Sequence, residues 1–262
     1  MTAVITLLTD FGYQDGYVGI MKGVIASICP TAPILDLTHG IPPHNIAAAR
    51  FTLLNSYAYF PPGTIHTVVV DPGVGTDRRA IAVKTSVGYL IGPDNGVFSG
   101  VIDQVGAIAA VLLTHLRYWR TANPSATFHG RDIFAPVAAH LAAGIPFSDL
   151  GPQVALESLV TLGIPETQIT DTSAIGHVQH IDQFGNIITT IPAKVVPQKD
   201  WQLAIEAVNI SWGTAYGDVA IGQAVVLVGS HGWVEIAVNN GSAQQRFHLA
   251  VGDRIDFCVA TS

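Results

Sequence analysis

The chain has 262 residues, 49% of them apolar and 12% charged, which suits one large or two modest cores and excludes a disordered chain. Twelve basic side chains against nineteen acidic ones give a net charge of −7 without a basic stripe, so nucleic acid is not an expected partner. Two cysteines without Cys-x-x-Cys spacing, no basic leader, and no apolar run near the roughly 18 residues of a membrane span predict a soluble, cytoplasmic protein with no membrane partner.

In chain order, residues 4–9 form an apolar run. Tyr17, Val18, Met21, Val24, Ile25 and Ile28 then recur at helical spacing, and residues 34–37 are apolar again. A helix entered at Pro42-Pro43 carries Ile46, Ala49, Leu53 and Leu54. Strands are expected at 65–70, 81–83, 89–91 and 107–113, with a segment 95–105 before the last, and an alanine-rich helix at 133–143. This is βαβ grammar, and it predicts an α/β layered domain over 1–151. Residues 152–172 lack a period and read as a linker. Over 173–262 helical patterns disappear, and short alternating runs at 175–181, 187–191, 203–210, 224–228, 233–238 and 254–259 predict a small all-β barrel or sandwich.

The densest chemistry lies where the apolar strand 65–70 runs into Asp71-Pro72-Gly73-Val74-Gly75 and the pair Arg78-Arg79. Asp71 falls at the C-terminal end of a buried strand, where open parallel sheets keep their ligand crevices. Two glycines let the backbone turn tightly and approach a ligand, folding Arg78 back toward Asp71; a turn capped by a surface ion pair is the other reading. Thr9-Asp10-Phe11-Gly12 places a second carboxylate at a strand end, with Asp15 five residues on. Only nine residues precede Asp10, so a kinase reading of Asp-Phe-Gly fails, and no glycine-rich dinucleotide or triphosphate loop is present. Asp10 suits either a ribose diol or a helix cap.

Ten histidines raise a metal hypothesis, with His39 and His44 around Pro42-Pro43 and His177 and His180 on a β segment. The spacing matches no zinc pattern, so neither metal nor cofactor is expected. Phe128-His129-Gly130-Arg131-Asp132 sets an ionisable ring in a loop just before a helix. In the second half, Asp182-Gln183-Phe184-Gly185-Asn186 and Gly229-Ser230-His231-Gly232-Trp233-Val234-Glu235 gather polar groups around glycine turns, where hairpin chemistry alone is also sufficient.

Together these segments resemble the S-adenosylmethionine hydroxide adenosyltransferase family, adenosine-forming hydrolases related to the fluorinase and chlorinase. The resemblance runs nearly end to end. It rests on Leu7-Leu8-Thr9-Asp10-Phe11-Gly12, Met21-Lys22-Gly23-Val24-Ile25, Asp36-Leu37-Thr38-His39-Gly40-Ile41-Pro42-Pro43, Phe60-Pro61-Pro62-Gly63-Thr64, Val70-Asp71-Pro72-Gly73-Val74-Gly75 and Gly92-Pro93-Asp94-Asn95-Gly96. It continues through Thr127-Phe128-His129-Gly130-Arg131-Asp132, Ile181-Asp182-Gln183-Phe184-Gly185-Asn186 and Gly232-Trp233-Val234-Glu235-Ile236-Ala237.

The resemblance implies an N-terminal α/β/α domain, a C-terminal β-barrel over 173–262, and hydrolysis of S-adenosylmethionine to adenosine and methionine without metal or cofactor. It implies that Asp71, Arg78 and His129 activate water, that Asp10 holds the ribose and Asn186 the adenine, and that Asp15, Asp182, Ser230 and Glu235 surround the methionine, with Val238 contributing backbone. It further implies a homotrimer with sites shared between subunits. The halogenating relatives carry tyrosine at the position of Asp71 and arginine at that of His231. A carboxylate repels an incoming halide but accepts hydrogen bonds from water. The alternatives are a halide-dependent adenosyl transferase and a non-catalytic adenosine or S-adenosylmethionine sensor.

Overall fold

The computed structural model describes residues 3–170, 173–195, 201–205 and 208–259. Two compact units result, Met1–Leu162 and Gly163–Ser262. Among the described residues no helix is long and apolar enough to cross a membrane.

In the first unit β1 (Ile5–Thr9), β2 (Ile34–Thr38), β3 (Thr64–Val69), β4 (Ala80–Thr85), β5 (Gly88–Pro93), β6 (Ala107–Leu112) and β7 (Gln153–Val154) form one sheet in the order β2-β1-β3-β5-β4-β6-β7. The first four in that order are parallel, whereas β4 runs antiparallel to β5 and β6. The sheet is therefore mixed, because a tight hairpin joins β4 to β5: Thr85 Oγ1 accepts the N–H groups of Val87 and Gly88 at 3.3 and 3.1 Å.

Helices α1 (Tyr17–Ile28), α2 (Ile46–Ser56), α3 (Ser99–Val105) and α4 (Ala135–Ala142) cover this sheet. Its pleat sends neighbouring side chains to opposite faces. Leu7 and Val69 join Met21 and Ile25 of α1 and Val137 and Leu141 of α4, while Leu8 and Val68 join Ala49 and Leu53 of α2 and Val101 of α3. The connection through α1 steps from β1 to β2, and that through α2 steps back past β1 to β3. Right-handed crossovers in opposite directions place the two helices on opposite faces.

The helix expected over 133–143 is replaced at its start by a π-helical turn, Gly130–Phe134, with α4 following and Pro136 in its first turn, where a missing N–H leaves no bond unmade. Of the stretch 152–172, residues up to 162 pack within the first unit: β7 pairs with β6, Leu159 is buried, and Val160 N–H donates to Asp94 at 2.9 Å. Such single backbone bonds leave no periodicity in a sequence.

The second unit contains β8 (Gln168–Ile169), β9 (Ser173–Ile181), β10 (Ile187–Pro192), β11 (Trp201–Ile205), β12 (Val208–Trp212), β13 (Ala224–Val228), β14 (Trp233–Val238) and β15 (Arg254–Val259). They form a curled sheet in the order β10-β14-β13-β12-β11-β15-β9-β8, with β9 also paired to β10. The run 203–210 is two antiparallel strands, Leu203 opposite Ile210; residues 206–207 lie outside the described set. This unit is not all-β, because α5 (Ala243–Phe247) is helical. Ser242 Oγ accepts the Gln245 N–H at 3.1 Å, and Ala243 and Phe247 bury one face. Five residues are too few to show a helical period.

His66 on β3 is 4% exposed, with Nδ1 2.8 Å from Thr6 Oγ1 and the Phe60 ring edge-on beside it. Burial pushes its pKa from 6.5 down to about 4. The unfolded chain therefore takes up this proton below pH 6.5 while the folded chain does not, and stability falls as pH drops through the interval to about 4. The loss is on the order of 3 kcal/mol. Denaturant melts between pH 6.5 and pH 4 are expected to show a shallower pH slope for His66→Gln than for the parent chain; equal slopes would remove His66 from the acid response.

Candidate active site

The candidate site is built where β1 and β3 end. These strands pair in parallel with Thr9 opposite Val69, so Asp10 and Asp71 leave the same sheet edge close together. The strand order reverses between them, which opens a crevice at that edge. A cavity of about 290 Å³ lies there, lined by Asp10, Phe11, Tyr17, Val69, Asp71, Phe128 and His129 among others.

Asp71 is held from behind. Asn95 Nδ2 donates to the carbonyl of Val70 at 2.9 Å, fixing the strand end one residue earlier. Arg78 Nε donates to both carboxylate oxygens of Asp71 at 2.9 and 3.0 Å, and Arg78 Nη2 donates to Asp71 Oδ2 as well. The Asp71 and Arg78 side chains are 4% and 11% exposed, so this is a forked ion pair largely withdrawn from water and not a surface cap. The adjacent Arg79 turns away to Asp94, donating from Nε at 2.7 Å.

Arg78 Nη2 also lies 2.7 Å from His129 Nδ1. A guanidinium can only donate, so Nδ1 accepts and the neutral ring carries its proton on Nε2. Burial and the Arg78 charge hold the imidazole below its usual pKa, against an opposing pull from Asp71 and Asp132. The three groups thus form one bonded unit: a carboxylate, a guanidinium and a neutral imidazole.

Gly75 makes this unit possible. Its φ is +77°, and a Cβ there would lie 2.4 Å from the Ala126 carbonyl oxygen. The close approach expected of the glycine turn is thus to the chain's own loop before His129, which brings Arg78 within reach of that ring.

Asp10 Oδ2 accepts the backbone N–H of His44 at 2.8 Å, and His44 holds φ at +65°. The loop bearing Asp10 is tied down by Thr9 Oγ1 on His39 Nδ1 at 2.8 Å and by Gly12 N–H on the His39 carbonyl, also 2.8 Å. Phe11, Tyr17 and Phe128 form an aromatic wall, with centroids 5.2 to 5.8 Å apart. Asp15 is exposed and does not line the cavity. Tyr17, Pro43 and His44 were not singled out from the sequence as site residues; the non-glycine φ at His44 has no signature in the letters.

In the second unit a cavity of about 380 Å³ is lined by Asp182, Phe184, Asn186, Tyr216, Val238, Asn240 and Gly241. Asp182 shapes the turn: Oδ1 accepts the N–H groups of Phe184 and Asn186 at 2.9 and 2.8 Å, and Oδ2 accepts Asn186 Nδ2 at 2.9 Å. Glu235 is 3% exposed, accepting from Tyr216 Oη at 2.9 Å and lying 3.1 Å from His231 Nε2. Burial and this carboxylate push the Tyr216 hydroxyl up to about 12. Neither Glu235 nor the exposed Ser230 lines the cavity. Tyr216, absent from the sequence reading, links the cavity to Glu235. Among the described residues no group of three or more His, Cys, Asp or Glu side chains could hold a metal ion.

Profiles described as the SAM hydroxide adenosyltransferase N-terminal and C-terminal domains match residues 5–151 and 176–256. The chain is 40% identical over 255 residues to an (R)-S-adenosyl-L-methionine hydrolase of Salinispora tropica, covering 97% of each. It is 38% identical over 253 residues to one of Thermus thermophilus, covering 94% of this chain and 95% of the relative. A crystal structure of an uncharacterized conserved protein from Thermotoga maritima superposes with a TM-score of 0.91 at 38% identity, over 97% of this chain and all of that one.

The role given to Gly75 has a direct consequence. Gly75→Ala combines a left-handed non-glycine residue with the clash at Ala126, and is expected to destabilise the fold by about 1–3 kcal/mol. It is also expected to separate Arg78 from His129, read as a displaced imidazole resonance of His129. Parent-like melting together with an unmoved resonance would show that the turn tolerates a side chain.

Proposed function

The chain belongs to the SAM hydroxide adenosyltransferase family, and we propose that it is an S-adenosyl-L-methionine hydrolase in which Asp71, Arg78 and His129 hold the attacking water. The carrying observation is the bonded carboxylate, guanidinium and imidazole, of which Asp71 and His129 line the first cavity while Arg78 joins them from behind. A sensor needs no such unit beside its ligand. The substrate is a sulfonium cation, and a net charge of −7 favours its approach.

In this reading a water donates one hydrogen to Asp71 and receives the Nε2 proton of His129 as a hydrogen bond, leaving a lone pair aimed at C5′ of the ribose. As the O–C5′ bond forms, the C5′–S bond breaks, and its electron pair goes to sulfur. Methionine then leaves as a neutral thioether that needs no proton. The water's proton passes to Asp71 while Arg78 offsets the local negative charge. Fixing one water in line supplies roughly 7–11 kcal/mol of barrier reduction. A carboxylate at this position disfavours halide as nucleophile.

We assign Asp10 to the ribose hydroxyls, since His44 N–H occupies only one of its oxygens, and Asn186 to the adenine, with Val238 contributing backbone beside it. Asp182, which orients Asn186, and Asp15, Ser230 and Glu235 are assigned to the methionine end. The second sheet is read as a closed barrel, supported by the pairing of β9 with both β15 and β10. The proposed division is an N-terminal domain over 1–151, a connection over 152–172 whose residues up to 162 pack on that domain, and a C-terminal domain over 173–262. Cys29 and Cys258 are both free, which fits a cytoplasmic setting.

Incubation with S-adenosylmethionine in oxygen-18 water is expected to yield methionine and adenosine labelled at the 5′ oxygen. Asp71→Asn is expected to lower turnover by about two or more orders of magnitude. Unlabelled adenosine, a 5′-chloro product in chloride, or near-normal turnover of Asp71→Asn would each reject the water-activating role.

We further propose a homotrimer in which each site is completed by a neighbouring subunit. The support is that the water-holding groups lie in the first unit and the adenine groups, with all the proposed methionine groups but Asp15, in the second, and head-to-tail contacts in a closed ring would complete every pocket. Asp71→Ala and Asn186→Ala chains, each inactive alone, are expected to regain part of the activity when refolded together. A monomer with full turnover, or verified subunit exchange without recovery, would place the whole site within one chain.

A further inference from the structure

Asp132 follows His129 by three residues, inside the π-helical turn Gly130–Phe134, and its exposure is 0%. An ionised carboxylate so placed needs full compensation. Its Oδ1 accepts Arg120 Nε at 2.6 Å and Arg131 Nε at 2.8 Å. Its Oδ2 accepts Arg131 Nη2 at 2.7 Å and the Ser125 backbone N–H at 2.9 Å. These partners hold its carboxyl well below the usual carboxylate range, against the effect of burial.

The main chain of Asp132 adds two further ties: its carbonyl accepts the Arg120 N–H at 3.0 Å, and its N–H donates to the Phe128 carbonyl at 3.2 Å. One residue therefore gathers both ends and the middle of the segment 120–132. That segment supplies Thr127, Phe128, His129 and Gly130 to the cavity wall, and Ala126 to the close approach at Gly75. Asp132 itself does not line the cavity. Arg131 extends the linkage, with its guanidinium 5.2 Å from the centroid of the Phe128 ring.

We propose that Asp132 is a positioning residue for the hydrolysis: through the 120–132 segment it holds the His129 ring against Arg78, without touching the reacting atoms. The proposal rests on the assignment of His129 to the water. A capping role alone would need one acceptor for one N–H, whereas here two arginines converge on the same carboxylate from either side of the loop. The charged groups acting on His129 are Arg78, Asp71 and Asp132; Arg78 lowers its pKa and the two carboxylates raise it. Removing the Asp132 charge leaves Arg78 opposed by Asp71 alone. The imidazole Nδ1 is also no longer held at the guanidinium, and because the Arg78 effect on the ring exceeds that of Asp132, the released imidazole titrates at higher pH.

The test compares Asp132→Asn, which keeps shape and loses charge, with Asp132→Glu, which keeps charge, in the full-length protein. kcat and KM for S-adenosylmethionine are measured separately, and the His129 imidazole is titrated by NMR with His129→Gln to assign the signal. The expected result for Asp132→Asn is kcat lower by about tenfold to a hundredfold, KM within a few-fold of the parent, and a higher His129 midpoint. Asp132→Glu should recover part of the kcat. If Asp132→Asn does not fold, Arg120→Gln removes one of the four side-chain bonds at the loop's far end, and it should lower kcat and displace the His129 resonance in the same direction.

Parent-like kcat with an unmoved His129 midpoint in a folded variant would overturn the proposal, as would a kcat loss equal in the Asn and Glu variants with that midpoint unchanged. Failure of the underlying reading is separable, because it shows as near-normal turnover in Asp71→Asn whatever Asp132 does.

Discussion

The pairing of β1 with β3 is the constraint from which the candidate site descends. Thr9 stands opposite Val69, so two parallel strands release the chain at one edge, and Asp10 and Asp71 arrive there from sequence positions sixty-one apart. The strands flanking this pair extend in opposite directions, β2 on one side and β5 on the other, and the covering helices α1 and α2 take opposite faces. A shift of one residue would turn Leu7 and Val69 toward the wrong helices, so burial of the two faces and placement of the two carboxylates are the same requirement.

Loops above a sheet are ordinarily its least ordered parts, yet the ones around the candidate site are fastened by buried polar groups. Asp94 accepts from Arg79 and from the Val160 N–H, Thr9 meets His39, Asn95 caps Val70, and Asp132 gathers four donors. Each bond adds little net stability. Losing one partner of a buried charge is a different matter, since the remaining charge stays desolvated and the cost rises to about 3–5 kcal/mol. Such groups therefore specify geometry more than they contribute free energy.

The second unit applies the same economy to turns. Asp182 spends both oxygens on its own hairpin and so presents Asn186 and the exposed Phe184 ring together at the cavity. His231 has Nε2 near Glu235 while Nδ1 accepts the Trp233 N–H at 3.2 Å. Both ring nitrogens thus have partners inside the turn. An imidazole so engaged cannot act as the forked donor that an arginine would be.

The sequence by itself determined the first unit's central strands and helices, because an apolar run and a helical stripe are local patterns imposed by burial on one or two faces. It also named Asp71, Arg78 and His129, through motifs whose order is specific to a family. It could not show that β4 reverses direction, that residues 153–162 add to the first unit, or that α5 interrupts the second, since each depends on a few contacts too short to leave a period. Nor could it show that Gly75 faces the Ala126 carbonyl or that Asp132 ties the His129 loop. Those outcomes belong to the tertiary structure, because they are set by what stands across a gap of fifty or more residues, or by which side of a loop a buried charge can find its donors.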